Sequence, residues 1–150
     1  MLIQIDPASD LPLYEQLIRQ VTFLVAQRAY REHELVPSVR EVSKSLAVNP
    51  NTVVRAYRHL QDQGILVARR GMGMAVAEKG CERAAEEREI LVSDRIEDTL
   101  GELRQSGLPD TEIRDTFLRL LGDGAPAQST DGTADEKKLP VRSTDGLEDQ

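Results

Sequence analysis

The chain has 150 residues, of which 39% are apolar and 30% charged, and its formal net charge is −7. That allows one core of modest size, built mostly from Leu, Val, Ile and Ala because aromatics are only 3%. The single cysteine, Cys81, excludes an intramolecular disulfide. No apolar run approaches the roughly 20 residues of a bilayer span, and residues 1–6 lack the basic region of a signal peptide. The expectation is a cytoplasmic protein with no membrane partner.

An acidic total argues against a nucleic-acid partner until its distribution is read. Residues 1–80 carry 10 Lys/Arg against 8 Asp/Glu, residues 81–122 carry 6 against 11, and residues 123–150 carry 3 against 7. The acidity lies outside the first half, and local rather than total charge governs phosphate contact.

Residues 1–12 read as a short extended arm closed by Asp6-Pro7 and Asp10-Leu11-Pro12. From Leu13 to about Ala29 the chain reads as a helix, with Leu13, Leu17, Val21 and Leu24 on one stripe that Tyr14, Ile18 and Val25 widen. Tyr30 to Val36 is a connector. Ser38 and Glu41 have capping-box spacing and open a short helix with Val39, Val42 and Leu46 inward. Ala47-Val48 turns the chain. Asn49 is a suitable N-cap and Pro50 a suitable first residue for the next helix, which runs to about Gln63 and ends at Gly64. Its inward positions are Val53, Ala56, Tyr57 and Leu60. Residues 65–70 read as a strand, Gly71-Met72-Gly73 as a turn, and residues 74–77 as the returning strand. A long helix follows from Glu82 to about Ser106, with Val92, Ile96, Leu100 and Leu103 as its apolar stripe. Gly107-Leu108-Pro109 breaks it. A last helix begins at Pro109 or Asp110, with Ile113, Phe117, Leu120 and Leu121 inward. Residues 123–150 have almost no apolar side chains and read as a disordered acidic tail.

The fold class this predicts is mostly α with a small β-wing. An N-terminal winged helix-turn-helix over 1–78 would be followed by a short two-helix dimerisation segment over 79–122. A helix-turn-helix reader needs a recognition helix with polar side chains facing outward and basic groups for phosphates. With Val53, Ala56, Tyr57 and Leu60 inward, the second helix turns out Asn51, Thr52, Arg55 and His59. Asn pairs bidentately with adenine and Arg with guanine. Arg40 follows the cap of the first helix and reaches phosphate or base. Lys44 and Arg58 suit phosphates, and Arg69 and Arg70 flank the wing turn.

These runs, Pro-Ser-Val-Arg-Glu, Val-Asn-Pro-Asn-Thr-Val-x-Arg-Ala-Tyr-x-x-Leu, Gly-Ile-Leu and Arg-Arg-Gly-x-Gly, resemble the winged helix of GntR-family transcriptional regulators. The Asn-Pro-Asn-Thr form, with two short helices after the wing, is similar to the YtrA subfamily, and Leu13-Tyr14-Glu15-Gln16-Leu17 resembles its opening helix. The resemblance implies a homodimeric repressor of double-stranded DNA, often of a nearby ABC-transporter operon. Arg40, Asn49, Asn51, Thr52, Arg70 and Gly71 would occupy operator-contact positions, and the C-terminal helices would pair. Two departures stand out. Arg28 and Glu32-His33 replace the connector's usual Gly and Pro-Gly, and Met74-Ala75 replaces Ser/Thr and an aromatic after the wing turn.

Plainer readings accompany these. Helical arginines are often only solvated, and His59 reads as a surface histidine. Tyr14 and Tyr57 read as core residues. Cys81 reads as inert or mildly exposed, and with only His33 and His59 in the chain no metal is expected. A charged helix is ordinarily a solvated rod, but the stripe on residues 82–106 needs cover that 109–121 alone supply poorly, which favours pairing of two copies. No Walker loop, nucleophile elbow or zinc spacing appears, so neither an enzyme nor a cofactor is expected. A small-molecule effector would need a pocket at the dimer interface or between domains. The rival reading is a winged helix used only for protein interaction.

Overall fold

The helix starts follow local chemistry. In the computed structural model, which describes residues 2–123, the order is α1 (Leu13–Ala26), α2 (Val39–Leu46), α3 (Pro50–Asp62), β1 (Leu66–Arg69), β2 (Gly73–Val76), α4 (Gly80–Gln105) and α5 (Asp110–Asp123). Ser38 caps α2 in a complete capping box: Oγ accepts from the Glu41 N–H at 3.2 Å, and the Glu41 carboxylate accepts from the Ser38 N–H at 2.7 Å. Asn49 caps α3, its side-chain oxygen accepting from the Asn51 N–H at 2.8 Å, with Pro50 at the first helical position.

The first compact unit runs to Leu108 rather than ending at the wing, so the sequence boundary at 78 falls inside it. Its core joins the inward faces of α1 and α3 to Ile65, Leu66 and Val76 of the wing, and to Cys81 and Ala84 of α4. Helix α1 packs on α3 and on α4, and α2 packs on α3. The start of α4 is therefore part of the winged helix itself. Cys81, expected at most to be mildly exposed, is buried, and its thiol points to the Tyr30 carbonyl at 3.8 Å.

The N-terminal arm is fixed by Gln16. Its side-chain oxygen accepts from the Asp6 N–H at 2.8 Å, and its amide donates to the carbonyls of Asp6 at 3.1 Å and Leu11 at 2.8 Å. Ile3 of the arm is buried in the core.

Strands β1 and β2 pair antiparallel, with Leu66 opposite Val76 and Arg69 opposite Gly73. The connector adds to the other edge of β2. The N–H groups of His33 and Val36 donate to the carbonyls of Val76 and Met74, and the Val76 N–H donates to the Glu34 carbonyl, all at 2.9 Å. Leu35 thus bridges Ala75, and the residues between α1 and α2 are more than a connector: they back the wing along the free edge of β2.

Helix α1 ends three residues before Ala29, because Arg28 takes a left-handed conformation at φ +58°. Helix α4 starts two residues before Glu82, after Lys79 at φ +60°. The second unit begins at Pro109 and contributes α5 to the described residues. Beyond Asp123, the acidic tail expected over 123–150 lies outside the described residues. Among the described residues, no helix is long and apolar enough to cross a membrane.

Candidate nucleic-acid interface

Burial sorts the residues of α3 by helical phase. Val53, Ala56, Tyr57 and Leu60 face the core, while Asn51, Arg55 and Arg58 are exposed and Thr52 is half-buried. The inward set is held from its far side by Tyr57, whose hydroxyl donates to the Pro37 carbonyl at 2.6 Å. That bond ties α3 to the entry of α2 across 20 residues of chain. Burial, then Tyr30 and Glu41, push the Tyr57 phenol well above its ordinary value, so the hydroxyl stays a donor. Tyr30, near the same connector, is also pushed up, by burial and then by Glu34.

The turn between α2 and α3 brings basic residues to the N-terminus of α3. Ala47 closes α2 in a left-handed conformation at φ +53°. Arg40 and Lys44, one turn apart on the exposed side of α2, border a shallow depression with Ala47, Val48 and Pro50. Lys44 also borders a groove of about 780 Å³ whose opposite wall is Met72 and Gly73 at the wing tip. The first turn of α3 contains no acidic side chain, so the helix N-terminus keeps its attraction for an anion. The nearest carboxylate on α2 is Glu41. It is engaged by Ser38, whose backbone and then side-chain hydrogen bonds hold its pKa below the ordinary carboxyl value.

The candidates divide into groups. Arg40, Lys44, Asn49, Asn51 and Thr52 gather at the start of α3. Asn49 has its carbonyl oxygen committed to the helix cap, so only its amide donors are left for a ligand. Arg55 and Arg58 border a separate depression with Tyr14, His59 and Asp62. Arg55 lies over the Tyr14 ring, 5.0 Å from its centroid, and His59 meets the same ring edge-on at 6.1 Å. Tyr14 therefore joins the core and also seats the outward Arg55, a role its place on the α1 stripe concealed. His59, read as a surface residue, is half-buried.

At the wing, Arg69, Arg70 and Gly71 are all exposed, and Gly71 and Gly73 take φ +74° and +114°. Arg69 is not simply extended: its guanidinium donates to Nδ1 of His33 at 3.1 Å. The pairing candidates differ in exposure. On α4, Val92 and Ile96 are exposed and Leu100 and Leu103 half-buried; on α5, Ile113 is buried, Phe117 half-buried and Leu120 exposed. Among the described residues, no cluster of His, Cys, Asp and Glu could hold a metal ion.

Residues 13–76 match the profile of the gntR family of bacterial regulatory proteins. The chain is 29% identical over 122 residues to the HTH-type transcriptional repressor YtrA of Bacillus subtilis, covering 81% of this chain and 94% of that one. It is 31% identical over 105 residues to the uncharacterized HTH-type transcriptional regulator YhcF of the same organism, covering 70% of this chain and 86% of that one. A solved GntR family transcriptional regulator from Listeria monocytogenes superimposes with a TM-score of 0.61 at 26% identity, covering 77% of this chain and 98% of that one. These relatives are transcription regulators rather than enzymes, and the matched segment is the helix-turn-helix with its wing. The chain belongs to the GntR family of bacterial transcriptional regulators and carries that family's DNA-binding winged helix.

Proposed function

We propose that the protein is a homodimeric, sequence-specific repressor that binds an inverted-repeat operator and controls a neighbouring transporter-type operon. The observation that carries this reading is α3. Its N-terminal turn offers Asn51 and Thr52, its exposed side Arg55, and its flank Arg40 and Lys44, while Val53, Ala56, Tyr57 and Leu60 lock it to the core. In this reading Asn51 and Arg55 read base edges. Arg40 and Lys44 hold phosphates beside the helix N-terminus. Arg69, Arg70 and Gly71 let the wing follow the adjacent backbone, and Arg58 lies at the periphery of the contact. Two recognition helices held by paired C-terminal helices would enter successive major grooves, which is why the operator should be an inverted repeat. The exposed Val92 and Ile96 support pairing through α4. The repressor name of the B. subtilis relative supports the sign of regulation. Any small-molecule effector would act by changing how the two copies are held.

The test is selection of bound fragments from genomic DNA by the full-length protein, followed by mobility shifts on the selected duplex over a range of salt. Affinity should fall steeply with salt, and the fragments should include a promoter adjacent to the protein's own gene. Asn51→Ala should lose about 1–3 kcal/mol of discrimination at one position in each half-site. An equal loss on all sequences would remove Asn51 from base reading. The absence of any salt-sensitive complex at micromolar protein would instead favour a winged helix used for protein interaction.

A further inference from the structure

We propose that His33 is a positioning residue for the wing, fixing the Arg69 guanidinium against the outer face of the sheet for a contact to the DNA backbone. This rests on the reading above that the wing arginines touch DNA. His33 lies in the connector, on the edge of β2 opposite β1, and Arg69 lies on β1. The hydrogen bond between them, 3.1 Å from Nη2 to Nδ1, therefore spans the central strand. The register runs the crossing diagonally over Ala75, which bridges Leu35 on one side and pairs with Val67 on the other, and its small side chain leaves room for the bond. Arg69 pairs with Gly73 in the ladder, and the His33 N–H donates to the Val76 carbonyl at 2.9 Å while Glu34 and Val36 also bond β2, so the turn that carries the ring is tied to the sheet edge.

The backbone adds an independent reason. His33 adopts φ +67°, a conformation that a side chain makes costly and that glycine adopts freely. Four described non-glycine residues are left-handed: Arg28, His33, Ala47 and Lys79. Among the described residues, His33 is the one of these whose side chain makes a hydrogen bond to another element. Strain kept at a residue with a specific long-range bond points to a use for the side chain. As the acceptor, Nδ1 takes one of the five guanidinium N–H donors and leaves four for a phosphate. An arginine held in place loses less freedom on binding than one that must be ordered by the DNA.

The experiment uses full-length protein and a duplex that it has selected from a random-sequence pool. Binding is measured well below the melting temperature of each variant. His33→Gly suits the left-handed backbone, so its melting temperature should equal or exceed that of the parent. Its affinity should nonetheless fall about three- to tenfold, the cost of one newly mobile arginine. Arg69→Ala should weaken binding in the parent and add little in the His33→Gly background, whereas Arg70→Ala should cost the same in both. Parent-like binding by His33→Gly would overturn the proposal, as would an equal Arg69→Ala loss in both backgrounds. If Arg69→Ala alone changed neither affinity nor salt dependence, the contact assigned to Arg69 would fail first and the role of His33 with it.

Discussion

Arg28 and Gly64 occupy the same position at the ends of two helices, and only one of them is a glycine. Past α1, the N–H groups of Arg28 and Ala29 donate to the carbonyls of Val25 and Leu24; past α3, those of Gly64 and Ile65 donate to Gln61 and Leu60, all four at 2.9 Å. Both are Schellman closures with a left-handed residue just beyond the cap. Glycine makes the end of α3 readable from the sequence. Arginine hides the end of α1, which is why the apolar pattern alone runs on to Ala29. Arg28 is exposed, so Arg28→Gly should raise stability by about 0.5–1 kcal/mol, read as a higher urea midpoint at unchanged slope. Glu41 supports a second residue-scale expectation. Its carboxylate is more acidic folded than free because Ser38 donates to it. The stabilisation is therefore present above the ordinary carboxyl value of 4.5 and is lost as pH falls through the lower, folded value. Glu41→Ala should be less stable than the parent at neutral pH. The gap between their unfolding curves should narrow in acid, and a gap that stayed constant with pH would remove the charge from the explanation.

Among the elements, α4 depends most on one small residue. A Cβ built on Gly80 would lie 2.6 Å from the Ile65 carbonyl oxygen and 2.8 Å from Cγ1 of Val76. Alanine would gain up to about 1 kcal/mol of helix propensity. The clash with a backbone atom that cannot rotate away should outweigh it. Gly80→Ala is expected to cost about 1–3 kcal/mol in chemical denaturation, through a shifted start of α4. That packing was not legible in the sequence. Lys79-Gly80 carries no Ser, Thr, Asp or Asn cap, so the helix was placed two residues late and its first turn outside the reading domain. The helix-turn-helix was legible because each of its boundaries has a chemical marker: Ser38 with Glu41, then Asn49 with Pro50, then Gly64. The wing ladder was legible from its glycine turn. The pairing of residues 33–36 with the edge of β2 was not, because a run that short has no alternation to read. For the same reason, the outward residues of α3 could be named in advance, but the ties of Arg55 to Tyr14 and of Arg69 to His33 could not, since each joins parts of the chain 36 or more residues apart.

The whole molecule sets a reading half with slightly more bases than acids beside a markedly acidic second half. Like charges on two acidic segments repel, so the proposed pairing between copies would rest on apolar contact rather than on ion pairs. Val92 and Ile96 are 44% and 47% exposed, one turn apart on a helix otherwise dominated by charge. Under the proposed dimer, Ile96→Glu should shift the protein to monomer in sedimentation. It should also weaken operator binding by at least about a hundredfold, because each half-site then binds alone. Its far-ultraviolet circular dichroism should change little, since Ile96 contributes nothing to the buried core. A variant that stayed dimeric would move the pairing surface elsewhere.

Helix α4 also works as a dial. Its first turn is cemented into the reading head at Gly80, Cys81 and Ala84, and its exposed apolar residues, Ile90, Val92 and Ile96, come later. Each residue between those points turns the far end by about 100° relative to the near end. Losing or gaining one residue within 85–91 would swing the apolar side to a new compass bearing while leaving the buried seat of Gly80, Cys81 and Ala84 in place. Seven would bring it back to within about 20°. Under the proposed dimer, the angle at which a second copy presents its recognition helix would thus be counted out in residues of a stretch outside the proposed DNA contact. Indels there would retune the half-site geometry a dimer can accept without altering a single base-facing side chain.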